Sequence, residues 1–133
     1  MTLQVQVVSP EQVLWSGEAE RVITRTLEDG DVAFLSGHTP FMGALGEGVT
    51  EILQEGGTVV RVAVHRGFVE VSDDRVSVLS DTAELAAGID VARAEAARSR
   101  AETALRDGDD EAALEALQRA DIRLRAARSE RPA

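Results

Sequence analysis

"RVSVLSDTAELAAGIDVARAEAARSR", residues 75–100, holds the change of rhythm on which the fold turns. Its first four residues alternate Arg75 and Ser77 with Val76 and Val78, the two-residue period of a half-buried strand. After Asp81 the valine-rich runs stop, and alanine, arginine and glutamate take over. Asp90 is suited to cap a helix, because its carboxylate can accept from the free amides of a first turn. Ile89 before it and Ala94 after it form a weak hydrophobic staple. The pattern predicts a helix from there to about Arg106, a break at "DGDD" (107–110), and a second helix from about Glu111 to Arg128. Leu114, Leu117 and Leu124 are expected along one side of the second helix. A connection of only four residues favours an antiparallel helical hairpin.

Upstream of residue 81 every run is short. Leu3, Val5 and Val7 alternate with polar residues, and "VLW" (13–15), "RVITRT" (21–26), "DVAFL" (31–35), "VTEIL" (49–53), "VVRVAV" (59–64) and "FVEV" (68–71) follow. "EDG", "GEG", "EGG" and "SDD" separate them, all turn chemistry. Strands at this spacing, with no helix-length segment between them, predict an antiparallel sandwich or barrel and argue against a parallel βαβ sheet. The chain therefore reads as α+β: an antiparallel β-sandwich over 1–85, then the two-helix hairpin over 86–133. The hairpin's inward surface is mostly alanine, which buries little area at about 25 cal/mol per Å². Two helices with such a seam are barely stable alone, so they must dock on the sandwich, a partner or a ligand.

Composition narrows the function. The chain has 133 residues, no cysteine and a net charge of −10, and all 14 basic residues are arginine. The net charge is −9 over residues 1–85 and −1 over 86–133. An acidic body argues against nucleic acid as a partner, since phosphate neutralisation drives that affinity. No apolar run approaches the ~20 residues of a membrane span, and no basic and apolar leader follows Met1. A soluble chain is expected. Without lysine there is no Walker-type phosphate loop. His38 and His65 lack the spacing of a metal site, and Ser36 and His38, two apart in a turn, lack a third partner for nucleophile chemistry. No catalytic residue and no metal ligand are expected.

Arg93 and Arg100 share one face of the first helix; Arg119 and Arg123 share one face of the second. In an antiparallel hairpin these faces converge, and an anion between the guanidiniums would relieve their repulsion. The same residues also read as solvated surface charge beside Glu95, Glu102, Glu115 and Asp121. On the residues alone both readings stand. The turn at Glu28, Asp29 and Asp31 reads as hairpin-tip solvation, and Trp15 as a core or edge residue.

"VVSPEQVLWSGEAERV" (7–22), "GDVAFLSGHTPFMGAL" (30–45), "RGFVEVSDDRVSVLSDTAE" (66–84) and "IDVARAEAARSRAETAL" (89–105), in this order, resemble the epsilon subunit of bacterial F-type ATP synthases. The resemblance implies a ten-stranded sandwich and a two-helix hairpin in a non-catalytic subunit of the central stalk. It implies binding to the gamma subunit and the c-ring, and a peripheral position on the cytoplasmic face of the cell membrane. It further implies a hairpin that folds on the sandwich or extends into the alpha/beta head to inhibit hydrolysis. Family members that bind ATP carry a motif matched here by Ile89, Asp90, Arg93 and Ala94, supported by Glu84, Arg100, Arg119 and Arg123. By resemblance these residues hold ATP as a regulatory ligand, and no cofactor is required. Asp31 is implied to face the c-ring, and the loop Ser36, His38, Thr39, Pro40 to lie near gamma. Two departures fall there: Ser36 and Thr39 stand where proline and a small residue are usual, and Arg66 stands in a frequent Gly-Gly-Phe. Replacing the proline is expected to loosen the loop. Two rival functions remain: a purely mechanical hairpin whose arginines meet acidic residues of the head, and a free-standing ATP-binding module.

Overall fold

The computed structural model describes residues 2–108 and 110–128; Met1, Asp109 of the expected break, and positions 129–133 lie outside the described residues. Ten strands come first: β1 (Leu3–Val8), β2 (Val13–Ala19), β3 (Arg21–Thr26), β4 (Gly30–Leu35), β5 (Phe41–Ala44), β6 (Gly48–Leu53), β7 (Val59–Val64), β8 (Gly67–Ser72), β9 (Arg75–Ser80) and β10 (Glu84–Leu85). A 3-10 turn (Ala86–Gly88) leads into α1 (Val91–Arg106) and α2 (Glu111–Arg128). The strands form two five-stranded sheets, in the orders β2-β1-β9-β8-β5 and β10-β7-β6-β3-β4.

Alternation decides which side chains meet between the sheets. Leu3, Val5 and Val7 of β1 are buried while Gln4 and Gln6 are exposed, and Val69, Val71, Val76 and Val78 do the same on β8 and β9. Phe34 is the bulkiest fully buried side chain of this core. Thr24 and Thr50, buried on neighbouring strands, satisfy one another through hydroxyls 2.6 Å apart, as buried polar groups must.

One pairing departs from the expected antiparallel plan. β1 runs parallel to β9, from Gln4↔Arg75 to Val8↔Leu79. Strands joined by a tight turn must be antiparallel, but β1 and β9 are joined through the whole sandwich, so their direction is free.

The helices end where the local chemistry dictates. Asp90 Oδ1 accepts from Arg93 N at 3.1 Å, and Asp110 Oδ1 accepts from Ala113 N at 3.2 Å, so each helix carries an aspartate cap. At 100° per residue, α2 has two opposite buried sides. Ala113, Ala120 and Leu124 form one; Ile122 and Ala126 form the other and pack with Ala63 of β7, Ala86 and Ile89. The expected leucine stripe is thus only partly correct. Leu114 lies off both sides and is 47% exposed, Leu117 is half-buried and Leu124 is buried. Small alanines, rather than leucines, let the helices approach both each other and the sheet.

Candidate functional site

Between the two buried sides of α2 runs a third line, at i, i+4, i+7 and i+11: Ala112, Ala116, Arg119 and Arg123. On α1 the matching line is Arg93, Ala97 and Arg100. Together they border a cleft of about 500 Å³ with an alanine floor and four arginines at its rim, within the size range of small-molecule sites. The structure brings these four predicted arginines to one place. Other predicted residues take structural positions around it. Asp90 is the cap of α1, Ile89 is 9% exposed within the α2–sheet contact, and Ala94 is fully buried.

The arginines differ in how far they are neutralised. Arg123 Nη2 donates to Glu84 Oε2 at 2.9 Å, and its Nε lies 2.9 Å from Oε1 without the alignment of a hydrogen bond. Arg119 Nη1 stands 4.0 Å from Glu115. Arg93 and Arg100 have no ion pair among the described residues. On the far side of the hairpin, Arg98 bridges Glu102 and Asp121 at 3.1 Å each, and Arg128 meets Glu95. The helices are therefore tied on one side by alternating charge, while the cleft side is left positive.

Beneath the hairpin lies His65, the residue after β7, 5% exposed and with Nδ1 unpartnered among the described residues. Burial pushes its pKa below the ordinary 6.5; Glu47 and Glu84 oppose this, while Arg119 and Arg123 reinforce it. Burial disfavours the charged ring, and because the folded pKa is depressed, the stability this site contributes is fully present above the ordinary value. That contribution is lost as pH falls through 6.5 towards the folded value, since the unfolded chain takes the proton first. Protection of the α2 amides, each rate compared with the intrinsic rate at the same pH, is accordingly expected to fall between pH 7.5 and 5.5, and His65→Gln to flatten that fall. Protection independent of pH in the unaltered chain would contradict this. The sequence offered one signal for His65: it shares its face of the strand with Ala63, two residues earlier.

The residues expected to meet partners fall at two ends of β4. Asp31, exposed and 4.0 Å from Arg25, is near the Glu28–Asp29 tip; Ser36, His38, Thr39 and Pro40 follow the other end, about 16 Å away at strand rise. Two hydrogen bonds hold the loop at Ser36. Leu35 O accepts from His38 N at 3.0 Å across a turn with Gly37 at φ +86°, and the Ser36 hydroxyl donates to Asp74 at 3.0 Å. On the other sheet, strand register aligns Val13, Val8, Leu79, Phe68 and Ala44 across the outer face. Val13, Leu79 and Phe68 in this row are exposed. No described helix is long and apolar enough to cross a membrane.

Residues 2–86 match the family model described as the ATP synthase Delta/Epsilon chain beta-sandwich domain. An ATP synthase epsilon chain of Streptomyces griseus is 46% identical over 93% of this chain and 94% of its own length. One from Thermobifida fusca is 46% identical over 98% and 96% respectively. Among solved structures, a chain of the Euglena gracilis mitochondrial ATP synthase OSCP/F1/c-ring assembly superposes with a TM-score of 0.71. At 22% identity, over 96% of this chain and 78% of that one, it shares the fold.

Proposed function

We propose, from the fact that this chain belongs to the ATP synthase epsilon-chain family, that it is a non-catalytic subunit of the central stalk and a regulator of hydrolysis. It couples the gamma subunit to the c-ring, and lies peripherally on the cytoplasmic face of the bacterial membrane through those partners. Its hairpin folds on the sandwich when ATP fills the arginine cleft and otherwise extends towards the alpha/beta head to restrain hydrolysis. The observation that carries the regulatory part is how the hairpin is seated. Among the described residues α2 packs on the sheet through Ile122 and Ala126, which meet Ala63 of β7 together with Ala86 and Ile89 of the connection, a small contact. The exposed apolar row through Leu79 and Phe68 supports the docking of a stalk partner.

Glu84 and Arg123, in contact across the seam, provide the test. The chain has no cysteine, so cysteines at these two positions, joined by a bifunctional thiol reagent, pin the hairpin down. In a complex reconstituted with alpha, beta and gamma, the pinned protein is expected to permit faster ATP hydrolysis than the unpinned one. Equal rates would remove the regulatory role, and failure to co-purify with gamma would remove the stalk role.

A further inference from the structure

The turn between β8 and β9 is built from residues that fit it poorly. Asp73 and Asp74 both have positive φ, 51° and 58°, in a two-residue connection flanked by the pair Ser72↔Arg75. Such turns favour Asn-Gly or Asp-Gly, because glycine takes the second left-handed position without steric cost. An aspartate there is tolerated but strained, and strain that persists points to a use for the side chain.

The use is visible 37 residues away. Asp74 Oδ1 accepts from Gly37 N at 2.7 Å, and Oδ2 accepts from Ser36 Oγ at 3.0 Å. Its backbone carbonyl accepts from Gln4 N at 2.8 Å. One residue thus ties the start of β1 and the β8–β9 turn to the loop after β4. On the loop's other side, His38 sets its ring edge-on to Phe34, with centroids 4.9 Å apart, and its Nδ1 lies 2.7 Å from Thr39 O. Held at both points, the loop leaves Thr39 and Pro40 exposed at its crest.

We propose that Asp74 is a positioning residue for the stalk interface: its carboxylate holds the Ser36–Pro40 loop in the shape its partner binds. This rests on the stalk reading above, with gamma as the partner of that loop. The charged acceptor suits the task, because a carboxylate binds backbone and hydroxyl donors more strongly than a neutral group does. A loop already ordered spares the complex the entropy of ordering it.

Asp74→Gly separates the clamp from the fold. Glycine relaxes the left-handed turn, so the thermal midpoint should stay level or rise, while both contacts to the loop disappear. The Gly37 amide is expected to exchange at least tenfold faster, and the affinity of the full chain for gamma to fall about tenfold. Asp74→Asn keeps an acceptor for Gly37 N, tolerates the turn, and should restore most of both. Ser36→Ala, cutting one contact only, should fall between. Faster Gly37 exchange with unchanged gamma affinity would overturn the positioning role, and unchanged exchange would overturn the clamp itself. If the unaltered chain fails to bind gamma, the stalk reading falls and takes this proposal with it. Loss of affinity in the Asn variant equal to that in the Gly variant would also overturn the proposal.

Discussion

Gly67→Ala is expected to destabilise the protein by on the order of 4 kcal/mol, the range reached by few single substitutions. Gly67 opens β8 at φ +143°, and a β-carbon there would stand 1.8 Å from the carbonyl oxygen of Leu79 and 2.9 Å from Cα of Ser80. Those atoms are backbone of the paired strand β9, so no rotamer change relieves the overlap. The Gly67 carbonyl also receives Leu45 N at 2.8 Å, which ties β8 to the residue that closes β5, so a shift here is felt across the sheet. The thermal midpoint should fall by roughly 15 °C. Gly57→Ala is the control: its φ is +93°, but no atom lies within 4 Å of the added carbon. Only backbone strain remains there, about 1 kcal/mol. Equal midpoints for the two variants would mean that β9 yields freely at Leu79.

Arg93→Ala and Arg119→Ala are each expected to weaken ATP binding by tenfold or more, read by calorimetric titration of the isolated chain. A hydrogen bond to a charged group contributes about 1.5–3 kcal/mol, and 1.4 kcal/mol is tenfold in affinity. Arg123 already serves Glu84, whereas Arg93 and Arg119 hold no close ion pair that a ligand must first break. Arg98→Ala is the contrast, because Arg98 ties Glu102 and Asp121 away from the cleft, and it should leave ATP affinity unchanged. Since ATP shifts the hairpin only by its preference for the folded state, the first two variants should also lose ATP-dependent protection of α2. If both bound ATP like the unaltered chain, the arginines would answer to a protein partner, and the mechanical reading of the hairpin would gain.

Local chemistry explains why the hairpin could be read so closely from the sequence. Asp90 and the "DGDD" break act on their immediate neighbours, and α1 and α2 begin and end where those signals fall. The sandwich was legible as eight short runs, some alternating and some simply apolar, between turn residues. β5, with "FMGA", and β10, with two residues, carry no alternation to detect, and the count of ten came only through resemblance. What escaped was lateral. The β1–β9 direction, the exposure of Leu114 and the depth of His65 are set by elements far away in the chain. At the site, helical spacing was enough to bring four arginines together, because that arrangement depends on one short connection. It could not reveal that Arg123 is neutralised by Glu84, which depends on where α2 lands on β10's sheet. Asp74 was hidden for the same reason: "SDD" looks like a turn and nothing more until Ser36 and Gly37 are seen beside it.

The parallel pairing of β1 with β9 also orders events in time. During synthesis the first strand can pair with β2 almost at once, but its other edge stays open until residues 75–79 have been made. Pairings so distant in sequence form slowly, and an open valine-rich edge is a template for unwanted association meanwhile. Polar Gln4 and Gln6 on the outward face make β1 less adhesive during that wait. The helices, made after β9, then arrive at a finished sheet, so the surface of β7 that receives α2 exists before the hairpin that covers it.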